Sequence, residues 1–167
     1  MTDSSYATLI EQLHQFTTAH IVTRAPDDSL AARPMAIADI TTDGHLWFIT
    51  HADSSAIRDI TEHPETAACL QAPGRYVWIG GLARTSREQS RIERIWDPAQ
   101  AVWFDEGKQD PELVLLEIVP VRGEFWDRSG ARGIDFKLRL VSALITGRRL
   151  DESAGAHGSV NFKQNDA

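Results

Sequence analysis

Apolar positions fall into short blocks with either helical or strand spacing along this 167-residue chain, and turn residues separate the blocks. Tyr6, Leu9, Ile10, Leu13 and Phe16 recur every three to four positions behind Asp3-Ser4-Ser5, which predicts an amphipathic helix with a polar N-cap. AHIVTR (19–24), RPMAIADI (33–40) and HLWFIT (45–50) are rich in β-forming residues. Ala25-Pro26-Asp27-Asp28 and the Asp43-Gly44 turn divide them, so they predict three antiparallel strands. Ala56, Ile57 and Ile60 then predict a short helix from Ser54 to His63, starting after Asp53 and stopped by His63-Pro64.

TAACLQA (66–72) and RYVWIGGLART (75–85) read as further strands joined through Pro73-Gly74, with Gly80-Gly81 predicting a bulge or barrel corner. Ser86 and Gln89 have capping-box spacing ahead of Ile92, Ile95 and Trp96, a helix that Asp97-Pro98 breaks before a helical turn at Ala99 to Trp103. ELVLLEIVPVRGEFWD (112–127) is either one long strand bent at Pro120 or two successive strands. Asp135 is placed to cap the amphipathic FKLRLVSALIT, ended by Gly147, and the aperiodic tail from Arg148 predicts an extended or partly disordered arm. The total is about six mostly antiparallel strands in one domain over residues 1–167: a mainly β fold, a small closed or split β-barrel with helices, since strand–helix–strand alternation is too rare for a parallel sheet.

Composition narrows the partners. A net charge of −7 and a pI near 5.3 argue against nucleic acid, because phosphate backbones demand a basic face. Cys69 is the only cysteine and the six histidines are dispersed without paired spacing, so neither a disulfide nor a metal site is expected. The N-terminal residues lack a secretory pattern and no apolar run reaches membrane-helix length, so the expected location is cytoplasmic, away from membranes.

The candidate chemistry lies between Arg33 and Ile60. A strand arginine (Arg33), a strand-end hydroxyl (Thr50) and the helix start at Ser54 and Ser55 converge on one spot, where free helix N–H groups favour a phosphate. Arg58 is a second cation on the same helix. Alternation along HLWFIT places Leu46, Phe48 and Thr50 on one face and Trp47 and Ile49 on the other.

In order, RPMAI, WFIT with HADSSAIRDI, RYVWIGGLA, IERIWDP, VWFDEG, ELVLLEIVPVRGEFWD and ALITGRR with HGSVNF resemble the general stress protein branch of the pyridoxamine 5′-phosphate oxidase-like FMN-binding split barrels. The resemblance implies a six-stranded split-barrel homodimer with FMN, or FAD in its place, in clefts at the interface. It assigns the phosphate to Arg33, Thr50 and Ser54. Pro34, Met35, Phe48 and Ile49 would line the ribityl chain or ring, with Trp103 and Trp126 approaching from the partner subunit. The implied function is redox or stress physiology, either as a flavin-dependent reductase or oxidase with a nicotinamide donor or as a flavin-storage or sensing module; a barrel that has lost flavin is the remaining alternative. No residue stands out as a general acid or base, and the tail HGSVNFKQNDA lacks the basic, His-containing motif of authentic pyridoxamine phosphate oxidases. Ser54-Ser55-Ala56 also replaces the Ser-x-Lys of relatives, and Gln100-Ala101-Val102 replaces a second lysine. Each lost charge-assisted contact weakens binding by about 1.5–3 kcal/mol.

Overall fold

The computed structural model describes residues 3–129, 142, 145 and 156–162. Helix α1 (Asp3–Leu13) leads into β1 (Thr18–Arg24) and β2 (Leu30–Ala36), followed by the short β3 (Asp39–Ile40) and β4 (Leu46–His51). Helix α2 (Ser55–Glu62), β5 (Glu65–Ala72) and β6 (Arg75–Ser86) come next, then α3 (Gln89–Ile95). Two 3-10 turns (Pro98–Val102 and Gly107–Gln109) precede β7 (Leu113–Asp127), and β8 (Ala156–Asn161) closes the series.

All strands among the described residues join one antiparallel sheet in the order β2-β1-β5-β6-β7-β4-β3, with β8 also on β7. Two features curl it into a split barrel. The segment from Leu30 to Ile40 pairs with β1 through its first half and with β4 through its second, so one stretch of chain holds both ends of the sheet. Strand β7 pairs with β6 along one edge, whereas its other edge serves β4 at residues 113–118 and β8 at 122–127. Pro120, which has no N–H to donate, sits at the changeover.

Among the described residues there are eight strands where about six were expected. RPMAIADI divides at Ile37-Ala38 because Ile37 N–H bonds back to Thr17 while Ala38 N–H turns to Trp47, and the aperiodic tail contributes β8. The ELVLLEIVPVRGEFWD segment is one strand. The bulge falls where the glycine pair places it, between Gly80 and Gly81, opposite Pro120. The expected Ser86/Gln89 capping box is not formed. Ser86 ends β6 and its hydroxyl accepts from Glu88 N–H, while a capping box forms instead between Asp97 and Gln100, at the 3-10 turn. The Asp135-capped helix ending at Gly147 lies outside the described residues, apart from Ser142 and Ile145, which are helical.

The sheet buries both faces over the first half of β7. Leu116 and Ile118 join Leu9, Leu13, Ile21, Phe48, Leu70 and Ile79 in the main core. Leu113 and Leu115 face the other way, onto Trp47, Ile92 and Phe104. Cys69 is partly buried, and burial raises its thiol pKa, consistent with a packing role.

A Cβ on Gly81 would lie 2.1 Å from the Val119 carbonyl oxygen, a backbone atom that cannot move aside. Gly81→Ala is therefore expected to lower stability by about 3 kcal/mol in chemical denaturation; a loss under 0.5 kcal/mol would show that the bulge is not required.

Candidate functional site

Thr50 lies near the end of β4, paired with Val114, and the chain turns through residues 51–54 directly into α2. The turn is held by Ser54 N–H to the His51 carbonyl and Ala52 N–H to the Glu112 carbonyl. Ser54 is the N-cap: its hydroxyl accepts from Ile57 N–H at 3.4 Å, and its carbonyl accepts from Arg58 N–H. The N–H groups of Ser55 and Ala56, at the very start of the helix, have no intrahelical acceptor and are free for an anion. Ser55 is exposed, whereas Ala56 is 1 % exposed and packs into the core. A cation at that position would have to leave the core, so the alanine is a packing residue here.

Arg33 reaches α2 from the side. Its guanidinium donates to Thr23 Oγ1 at 2.8 Å and to Asp59 Oδ2 at 2.9 Å, and Thr23 donates to the same carboxylate oxygen at 2.6 Å. Asp59 is 4 % exposed. The anticipated phosphate arginine is thus already in an ion pair with a buried carboxylate. Asp59 escaped sequence reasoning, although its position three residues after Ala56, on the apolar face of the helix, marks it as a buried charge in need of a partner.

Alternation along β4 is as expected: Phe48 lies in the main core, and Trp47 and Ile49 pack in the second cluster. Phe48 is fully buried, which leaves only its backbone to meet a ligand. On β2, Arg33 and Met35 face inward and Pro34 is exposed, with Met35 packed against the core. Trp103, at the end of the first 3-10 turn, is 71 % exposed. Trp126 pairs with Tyr76 across β6 and stacks on His157 of β8, ring centroids 5.1 Å apart and planes 15° from parallel.

The register keeps these pieces apart. Thr50 is opposite Val114 at one end of β7, and Trp126 is twelve residues further along the same strand (126 − 114), a rise of roughly 40 Å before bending. Thr50 and Trp126 therefore stand at opposite ends of β7.

A second constellation lies on the outer face of β4 and β7. Glu117, 3 % exposed, stands between Trp47 and Arg84 in the sheet register. One carboxylate oxygen meets His45 Nδ1 at 2.6 Å and the other accepts from Arg84 Nε at 2.5 Å. This bond raises the Arg84 guanidinium above its usual pKa. Arg91 from α3 lies 4.0 Å over the Trp47 ring. These residues line an open cavity of about 510 Å³. Glu117 shows in the sequence as a lone charge inside the apolar ELVLLEIVP.

An antiparallel sheet curled on one bridging segment, with an anion-ready helix start at the end of β4, defines a split β-barrel. The chain belongs to the pyridoxamine 5′-phosphate oxidase-like family, whose model matches residues 4–151. Proteins it is similar to include general stress proteins. General stress protein 26 of Bacillus subtilis (strain 168) is 42% identical over 45 residues, 27% of this chain and 31% of the relative, so the match spans about a third of that protein's length. A candidate general stress protein 26 from Jannaschia sp. CCS1 superposes with a TM-score of 0.75 at 22% identity, over 97% of this chain and 100% of that one. The general stress FMN/FAD binding protein from Xanthomonas citri does so with a TM-score of 0.66 at 24% identity, over 78% and 93%.

Arg33→Met strands the buried Asp59 carboxylate and is expected to lower stability by about 3 kcal/mol in urea unfolding, with no more than a small change if the pair is dispensable. Burial acts to raise Asp43, but the Thr41 hydroxyl bond and the charges of His45 and Arg91 together lower its pKa. A depressed carboxylate stabilises the fold above the unfolded value, near 3.9, and the contribution is lost as pH falls through the folded value. Asp43→Asn should then cost a few tenths of a kcal/mol at pH 7, a gap that narrows as pH falls below the unfolded value and through the lower folded one, read by urea unfolding across pH.

Proposed function

We propose that this protein binds FMN, or FAD in its place, between two copies of the chain, and serves as a general stress-type flavoprotein with a redox role. The reading rests most heavily on the register of β7. The phosphate-ready helix start and the partly exposed Tyr76–Trp126–His157 surface stand at opposite ends of β7, and an antiparallel pair of copies would set one against the other. The residues fit the group. Free N–H groups at the start of α2, with Thr50 and Ser54, suit a phosphate, and stacked aromatic rings suit the apolar, flat isoalloxazine. Membership of the family and the FMN/FAD-binding relative from Xanthomonas citri support the same reading.

Bound flavin supplies electron or hydride transfer, and the protein's part is to hold and orient it. Arg33 and Asp59 fix the side of the helix against β1 and β2. Trp126 offers a ring face that its stack with His157 keeps in place. Two observations favour the contrary reading, a barrel that has lost its flavin: Ala56 is packed inward and Arg33 is committed to Asp59.

Fluorescence titration decides between them. The protein is expected to quench FMN at micromolar concentration with one flavin per chain, and Trp126→Ala to weaken that binding about tenfold. A protein that is colourless and leaves FMN fluorescence unquenched contradicts the flavin reading. If the bound flavin is bleached anaerobically by a nicotinamide donor the protein is a reductase, and if it is not, storage or sensing is favoured.

A further inference from the structure

At the start of α2, the side-chain charge is arranged differently from the pattern anticipated by Arg33 alone. Arg33 spans Thr23 and Asp59, so its charge is balanced by a carboxylate 2.9 Å away that is itself almost fully buried. Ala56 occupies the core. Arg58, by contrast, is exposed and folds back along the helix, donating from Nη1 to the carbonyl of Asp53 at 2.8 Å. Helical Cα–Cβ bonds tilt toward the N-terminus, so a long side chain from this position naturally reaches the first turn. The result is a cation held one residue before the N-cap, at a helix end that is already positive and has no acidic residue in its first turn. Asp53, whose carbonyl Arg58 holds, is the acid nearest this end in sequence, and a cation here opposes the helix dipole unless an anion sits beside it.

We propose that Arg58 is the residue that confers phosphate selectivity on this chain, taking the place of the cation absent at Ala56, while Asp59 withholds Arg33 from that role. The inference rests on the flavin reading above and assigns the charge at one end of that site. The ligand group it recognises is a terminal phosphate, and a ligand without one gains nothing from Arg58. Asp59 sets the balance from the other side: its carboxylate pairs with Arg33 and repels a bound dianion, which makes Arg58 decisive.

The test compares dissociation constants for FMN and riboflavin, read by flavin fluorescence, in the wild type, Arg58→Ala, Arg58→Lys and Asp59→Asn. Arg58→Ala is expected to weaken FMN about tenfold and leave riboflavin unchanged, with Arg58→Lys retaining most of the affinity. Asp59→Asn keeps an oxygen acceptor for Thr23 and Arg33 but removes the charge, and is expected to tighten FMN severalfold without affecting riboflavin. Equal losses for both ligands, no loss in Arg58→Ala, a Lys variant as weak as the Ala variant, or no gain in Asp59→Asn would overturn the assignment. If neither flavin binds the wild type, thermal stabilisation by inorganic pyrophosphate decides. Stabilisation that disappears in Arg58→Ala sustains the role of Arg58 while the flavin reading falls, and its absence from the wild type removes both.

Discussion

Strand β7 is hydrogen-bonded along its length to β6, and along its other edge first to β4 and then to β8. That shared edge is the constraint on which the architecture depends. Pro120 and the Gly80/Gly81 bulge lie where the partner changes, and the absence of a side chain at Gly81 lets the Val119 carbonyl approach. Because β4 is confined to the first half of β7, Thr50 and the start of α2 are confined to one end of the molecule. Because β6 and β8 flank the second half, Tyr76, Trp126 and His157 gather at the other.

The separation gives the two ends different chemistry. One has helix N–H groups, hydroxyls and arginines, and it holds the buried Arg33–Asp59–Thr23 network. The other is an aromatic surface, flat and partly exposed. A ligand with an anionic tail and a planar apolar head matches the chemistry of both ends, which is why the proposed site draws on two copies of the chain. The buried ion pair also has a structural task, since it ties β1 and β2 to α2 while leaving Arg58 exposed at the helix start.

Much of this was legible in the sequence wherever local chemistry and fold agree. The spacing of Ala56, Ile57 and Ile60 between Asp53 and His63-Pro64 located α2 to within a residue, and Gly80-Gly81 located the bulge. What stayed hidden depends on residues distant along the chain. The helical spacing puts Asp59 on the apolar face of α2, but which groups it pairs with is decided only when β1 and β2 fold against it, and the commitment of Arg33 follows from that contact. The division of RPMAIADI is a consequence of barrel closure, which takes Ile37 to Thr17 and Ala38 to Trp47. Strand β8 carries little periodic signal because it is short and covers the end of an existing sheet. At Ser86 and Gln89 the capping-box spacing was present, but Ser86 is held in β6, so its hydroxyl turned to Glu88 instead.

The central claim is that each flavin site is composed of the α2 start of one copy and the Trp126 surface of another, and mixed dimers test it most directly. A Thr50→Val/Ser54→Ala chain and a Trp126→Ala chain are each expected to bind FMN poorly alone. Refolded together, they form mixed dimers in which one site combines the intact α2 start of the second chain with the intact Trp126 of the first. The account predicts that mixing restores tight binding to about one site per mixed dimer. Mixtures that bind no better than the two variants measured separately would contradict it.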